Sequence, residues 1–119
     1  MKIDPFKISF PKQEILEIKE KVEMFPWHEM PKEGGWSFGT NIDYMKNLAD
    51  YWTKKYDWES QELRLNQQPN YKTKVDDIDI HFIFKKSSSP KAIPLILIHG
   101  WPGSVVELLD IIEQLSEPC

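Results

Sequence analysis

The sequence predicts an α/β chain in which helices come first and the opening of a sheet comes second. Three observations predict it. From Phe6 to about Asn70 apolar residues recur at three- and four-residue steps, the period of helices that bury one face. From Tyr71 the period drops to two, as it does in strands. The run Ile93-Pro94-Leu95-Ile96-Leu97-Ile98 is then apolar on both faces, too short for a helix, and leads into a glycine-containing turn and another helical pattern. Such a run is expected to be a central strand covered on both sides.

Each element follows from local chemistry. Pro11 opens the first helix, and Ile15, Ile18, Val22 and Phe25 form its apolar stripe. The charges between Glu14 and Glu23 fill a solvated face. Pro26 and Pro31 end that helix and begin a loop containing Gly34-Gly35-Trp36. Thr40 with Asp43 reads as a capping box. Ile42, Met45, Leu48, Ala49, Trp52 and Tyr56 then make one stripe of a second helix. Asp57 caps a third helix carrying Leu63 and Leu65, closed by Pro69. Residues 71–75 and 78–84 alternate as a hairpin around Asp76-Asp77. Ile78, Ile80, Phe82 and Phe84 share one face of it, and Asp79, His81 and Ile83 the other. Residues 85–91 form a polar connection to the apolar run. After that run, Ser104 with Glu107 gives a second capping box, and Val106, Leu109, Ile112 and Leu115 the buried stripe of a last helix. The expected division is a helical domain over 1–70 and the beginning of an α/β domain over 71–119. One hairpin, one strand and one helix cannot cover both faces of residues 95–98, so the chain is expected to stop inside its second domain.

Composition narrows the classes of function. The 119 residues are 40% hydrophobic and 29% charged, ordinary values that exclude a disordered tail, a collagen-like repeat and a low-complexity segment. The net charge is -4 and Arg64 is the only arginine, a poor basis for gripping a phosphate backbone, so no nucleic-acid partner is expected. Cys119, the single cysteine, excludes an internal disulfide or a thiolate metal site. No apolar run approaches the roughly 18 residues of a membrane span, and Met1-Lys2-Ile3-Asp4-Pro5 has no apolar leader core. The expectation is a cytoplasmic or membrane-peripheral domain, or part of one. Aromatic residues are abundant, at five Trp, four Tyr and six Phe. Those between Phe25 and Trp58 are expected to be core or docking rings.

The chemistry concentrates at His99-Gly100-Trp101-Pro102-Gly103-Ser104, between the apolar run and the last helix. A phosphate loop is excluded on detail. Gly100 and Gly103 do not fit G-x-G-x-x-G, no G-K-[ST] follows, Trp101 crowds the approach and Pro102 removes an amide. The same geometry suits an oxyanion site. In α/β-hydrolase folds the loop after the third strand supplies one backbone N–H to the oxyanion hole. Here the Trp101 N–H would be that donor. Pro102 would set the loop geometry, a cis peptide being one way to do so.

At this loop the sequence resembles the α/β-hydrolase epoxide hydrolases of the microsomal type, which carry H-G-x-P in the form H-G-W-P-G-S. The resemblance continues upstream through Gly35-Trp36-Ser37-Phe38-Gly39-Thr40-Asn41, Asp43-Tyr44-Met45, Asp50-Tyr51-Trp52 and Asp57-Trp58. It also takes in Leu65-Asn66, Pro69-Asn70-Tyr71 and Ile78-Asp79-Ile80-His81-Phe82-Ile83. H-G-x-P alone is shared with dehalogenases; the aromatic-rich segment ahead of it is the more specific part. The resemblance implies an Asp nucleophile that opens the epoxide, two lid tyrosines that polarise its oxygen, and a His–acid pair that activates water against the ester. It implies a small hydrophobic epoxide as substrate, the rest of the hydrolase domain and its lid as partners, and no cofactor or metal. Nucleophile, base, acid and lid would all follow this loop. Of the active site, only the Trp101 amide and Pro102 carry over to this sequence.

Other candidates have plainer readings. His99 is expected to pack and hydrogen-bond behind the loop, His28 to be solvated and His81 to be structural. Tyr44 and Tyr51 are not the polarising acids, which the resemblance places on the lid. Asp43, Asp50 and Asp57 recur every seven residues, a spacing that caps and exposed charges explain without a metal. Two functions remain open at this point: the N-terminal portion of an epoxide hydrolase, or a non-catalytic stand-alone interaction module or truncated gene product of the same family. An esterase, with Ser in place of the Asp nucleophile, is a third possibility within the hydrolases.

Overall fold

The structure, a computed structural model, describes residues 2–29, 31 and 35–117. Gly34 of the expected loop and Cys119 lie outside the described residues. The chain forms two compact units, one of Met1–Ile8 with Glu62–Cys119 and one of Ser9–Gln61.

The Ser9–Gln61 unit is helical, as its period requires. Helix α1 (Lys12–Glu23) starts directly after Pro11, whose fixed φ suits a helix entry. Helix α2 (Ile42–Lys54) is capped by Asn41, not by Thr40 as the capping box suggested. The Asn41 side-chain oxygen accepts from the amides of Asp43 at 2.9 Å and Tyr44 at 3.0 Å, filling two of the donors a helix start leaves open. Helix α3 (Trp58–Asn66) begins here. Asp57 caps it as expected, accepting from the Ser60 amide at 3.3 Å and from the Ser60 hydroxyl. Those bonds hold the Asp57 carboxyl below its usual 3.8. The rings of this unit are not a buried core. Trp36, Tyr44 and Tyr51 are each at least half exposed, and Trp36 packs on Tyr44 with centroids 5.3 Å apart.

The other unit is organised by a three-stranded antiparallel sheet in the order β1-β2-β3. Strands β2 (Asn70–Val75) and β3 (Ile78–Ile83) form the expected hairpin, with Val75 opposite Ile78 and Asn70 opposite Ile83. Its two turn residues, Asp76 and Asp77, have φ of 49° and 64°. Both are left-handed, as a two-residue turn between twisted strands demands. Strand β1 (Ile3–Pro5) was not expected from the sequence. It is three residues long, ends in a proline and pairs Ile3 with Thr73, so it carries no period of its own.

Two asparagines tie this sheet to the end of α3. Asn66 receives the Ile8 amide at 2.9 Å and donates to the Ile8 carbonyl at 2.8 Å, imitating a neighbouring strand. Asn70, 6% exposed, donates to the carbonyls of Leu65 and Gln68 and faces His81 Nε2 at 2.9 Å. Because Asn70 Nδ2 is already engaged in donating, its Oδ1 must accept from His81, which fixes the Nε2–H tautomer. His81 also packs edge-on against Phe6. It is therefore structural, as expected.

The expected central strand is the main correction. Residues 93–98 join no ladder among the described residues. Ile93, Ile96 and Ile98 are each more than 80% exposed. A strand exists only by pairing with another, and β1, β2 and β3 pair among themselves. The last helix is also shorter than its pattern suggested. A 3₁₀ turn (Val105–Leu108) precedes α4 (Leu109–Ser116), and of the expected stripe Leu109 is buried while Val106 and Leu115 are half exposed.

Two outcomes test this description. Burial, and secondly the nearby Lys72 charge, hold the His81 pKa below its usual 6.5. The folded chain thus resists a proton that the unfolded chain accepts, and stability should fall as pH drops below 6.5 toward the folded value. Urea midpoints at pH 7.5 and 5.5 should show that loss in the wild type and a smaller one in His81→Gln. In amide exchange, residues 93–98 should be nearly unprotected while β2 and β3 are protected. Strong protection of 93–98 in a monomer would overturn the unpaired assignment.

Candidate functional site

The expected site loop follows residues 93–98 directly, and local bonds shape it. The Trp101–Pro102 peptide is cis. Trp101 is 96% exposed, so its indole is not part of a core. Its backbone N–H finds no acceptor among the described residues. Ser104 then caps the 3₁₀ turn, its hydroxyl oxygen accepting from the Val106 amide at 3.3 Å, and the Glu107 amide bonds the Ser104 carbonyl at 3.1 Å. The Glu107 carboxylate sits against Gly103, where a Cβ would collide with it. Glycine there lets the side chain of the first helical turn lie back over the loop.

His99 departs from its expected packing. It is exposed, and its Nδ1 lies 3.1 Å from the Gly100 carbonyl. That contact is a hydrogen bond when Nδ1 carries the proton. It tethers the ring to the loop and brings no carboxylate to it. His28 is exposed, as expected. The three spaced aspartates do separate jobs. Asp43 lies in the first turn of α2, Asp50 pairs with Lys54 at 2.8 Å, and Asp57 caps α3. Among the described residues no cluster of three His, Cys, Asp or Glu side chains could hold a metal ion.

The arrangement can do one piece of chemistry. An amide at the C-terminal end of a strand-like segment, just before a helix start, can donate to a developing negative charge. No described histidine lies within bonding distance of a carboxylate, so the loop offers a hydrogen-bond donor to a negative charge and no histidine–carboxylate pair beside it. Sequence reasoning missed the polar links that hold the following helix. Only pairings across 28 to 46 residues reveal them, and no short motif encodes those.

Helices, then a hairpin, then an apolar segment, an H-G-W-P-G-S turn and a helix define the N-terminal region of an α/β-hydrolase. Residues 3–108 match the family described as epoxide hydrolase N terminus, and the chain belongs to that family. It is 36% identical to epoxide hydrolase 1 of Sus scrofa and 38% identical to juvenile hormone epoxide hydrolase 1 of Ctenocephalides felis. Both alignments cover 98% of this chain and 26% of the relative. The structure of Aspergillus niger epoxide hydrolase superposes with a TM-score of 0.86 at 29% identity, over 95% of this chain and 30% of that one. The α/β class read from the sequence therefore holds. The chain spans about a quarter of the length of the curated relatives it matches.

Proposed function

We propose that this chain is the N-terminal portion of an epoxide hydrolase and supplies the oxyanion-hole amide of its second chemical step. The observation that carries the reading is the Trp101 N–H, unpaired among the described residues at the turn between the apolar segment 93–98 and the 3₁₀ turn. The family membership supports the reaction class. A small hydrophobic epoxide is the proposed substrate, and the remaining hydrolase domain with its lid the proposed partner. The sequence's change of period near residue 70 marks the proposed boundary between an N-terminal domain and the catalytic domain. No helix among the described residues is long and apolar enough to cross a membrane; a cytoplasmic or membrane-peripheral location is the proposal.

In the proposed reaction an aspartate oxygen attacks an epoxide carbon, the C–O bond breaks, and the ring oxygen takes a proton from a lid tyrosine. Water, deprotonated by a histidine, then adds to the ester carbonyl. The electron pair of that C=O moves onto oxygen, and this oxyanion is what the Trp101 N–H meets. Collapse breaks the ester C–O bond, and the departing alkoxide takes the proton held by the histidine and leaves as the diol. The carboxylic acid left behind gives its proton to the tyrosinate, restoring the carboxylate. The Trp101 amide thus contributes to ester hydrolysis and little to ester formation. Pro102 contributes by its fixed φ, which holds the amide at small entropic cost.

Single-turnover kinetics test this in a catalytically complete protein carrying this chain. Pro102→Ala, which frees the backbone, should slow ester hydrolysis by up to about 100-fold, the lower end of the effect of losing one oxyanion donor. Trp101→Phe keeps the amide and should slow it less. Unchanged ester hydrolysis in Pro102→Ala together with its loss in Trp101→Phe would assign the role to the indole instead. The 119-residue chain alone, given stilbene oxide, should turn over at the buffer rate.

A further inference from the structure

Helix α4 carries Asp110 and Glu113, and Glu117 follows as the residue that caps its C-terminus; the three carboxylates fall at three- and four-residue steps. Each has a different partner. Arg64 Nη2 donates to Asp110 Oδ1 at 2.6 Å, and Lys85 Nζ pairs with Glu113 Oε2. Ser88 grips Glu117 with both its amide, at 2.7 Å, and its hydroxyl, at 2.6 Å. The partners come from the last turn of α3, from the residues just past β3, and from the connection that follows. Arg64 is the only arginine in the chain, and it is spent on a residue 46 positions away. The apolar side of α4 is only partly covered: Leu109 is buried and Ile112 half-buried, while Ile111 is 38% and Leu115 51% exposed.

We propose that α4 is docked through this acidic face, which makes Arg64, Lys85 and Ser88 positioning residues for the Trp101 loop. The proposal rests on the reading of that loop as an oxyanion site. One exposed ion pair contributes about 0–1 kcal/mol, so a single tie would not fix a helix. Three ties are different. Asp110 lies in the first turn of α4, Glu113 in its middle and Glu117 at its C-cap. Bonds at both ends and the middle set the direction of the helix as well as its place. The loop is attached to the N-terminal end of that helix through the 3₁₀ turn, whose first amides Ser104 caps. A tilt of α4 therefore swings the turn that carries the Trp101 N–H. Glu117 responds to its tie as a bonded carboxylate should, its pKa held below the usual 4.5 first by the Ser88 bonds and last by the Lys85 charge.

The test uses the full chain, labelled with ¹⁵N, at low salt and at about 0.5 M NaCl, where the screening length is only a few ångströms. Arg64→Asp should raise amide exchange across Leu109–Ser116 by about tenfold and lower the order parameters of Trp101 and Gly103, while β2 and β3 are unmoved. The swapped pair Arg64→Asp with Asp110→Arg should restore both readouts to within about threefold of wild type. Ser88→Ala, a milder change, should loosen the last turn of α4 alone. High salt on the wild type should reproduce the effect of Arg64→Asp in part. Unchanged α4 exchange in both Arg64→Asp and Ser88→Ala would overturn the docking. So would a rise shared equally by β2 and β3, or a swapped pair that restores nothing. A loosened helix with an unmoved Trp101 would overturn the positioning role. None of these readouts involves turnover, so they succeed or fail separately from the oxyanion assignment.

Discussion

The constraint on which the rest depends is that a strand cannot exist alone. Residues 93–98 are apolar on both faces, and their amides and carbonyls need a neighbouring strand on each side. No described residue supplies one. The segment stays exposed, and it leads straight into the loop proposed to supply the oxyanion-hole amide. The position of that loop consequently cannot come from a completed sheet within these residues. It comes from its other end, through Ser104, the 3₁₀ turn and α4.

Polar bonds do much of the holding in the sheet unit because buried apolar surface is scarce. Ile8 and Leu109 are its buried apolar residues, and no described side chain is fully buried. Asn66 and Asn70 compensate by acting as backbone, bonding Ile8, Leu65 and Gln68. Each such bond contributes about 1 kcal/mol net. Losing Asn66 costs more, because the part-buried Ile8 amide and carbonyl it serves are then left without that partner. Thr73 works likewise, its buried hydroxyl donating to the Lys2 carbonyl at 2.8 Å and fastening β1 to the hairpin.

What was legible in the sequence is what short-range physics decides. Pro11, Asp57 and Asp76-Asp77 set the start of α1, the cap of α3 and the hairpin turn, each through bonds or φ values local to those residues. Thr40 misled by one position because Asn41 competes for the same amides and reaches them better. Strand β1 was invisible because three residues ending in Pro5 show no alternation; its pairing depends on Thr73, far along the chain. The apolar run 93–98 was legible in its pattern, but pairing is a property of partners. For the site, the H-G-W-P-G-S turn and its upstream aromatic segment pointed to the family, and the role of the Trp101 amide in that turn is the proposal built on it. The ties from Arg64, Lys85 and Ser88 to α4 could not be read, since nothing in a lone arginine names the carboxylate it will meet.

The central claim is that the backbone of Trp101, and not its indole, serves the chemistry. The most direct measurement replaces the residue 101 amide by an ester, using the α-hydroxy analogue of tryptophan in a catalytically complete protein. That change removes one N–H and keeps the side chain. Alkylation of the aspartate and hydrolysis of the resulting ester are then timed separately in a single turnover. The account predicts unchanged alkylation and an ester hydrolysis slowed about 10²- to 10³-fold, the effect of losing one oxyanion donor. Ester hydrolysis at the wild-type rate would contradict it.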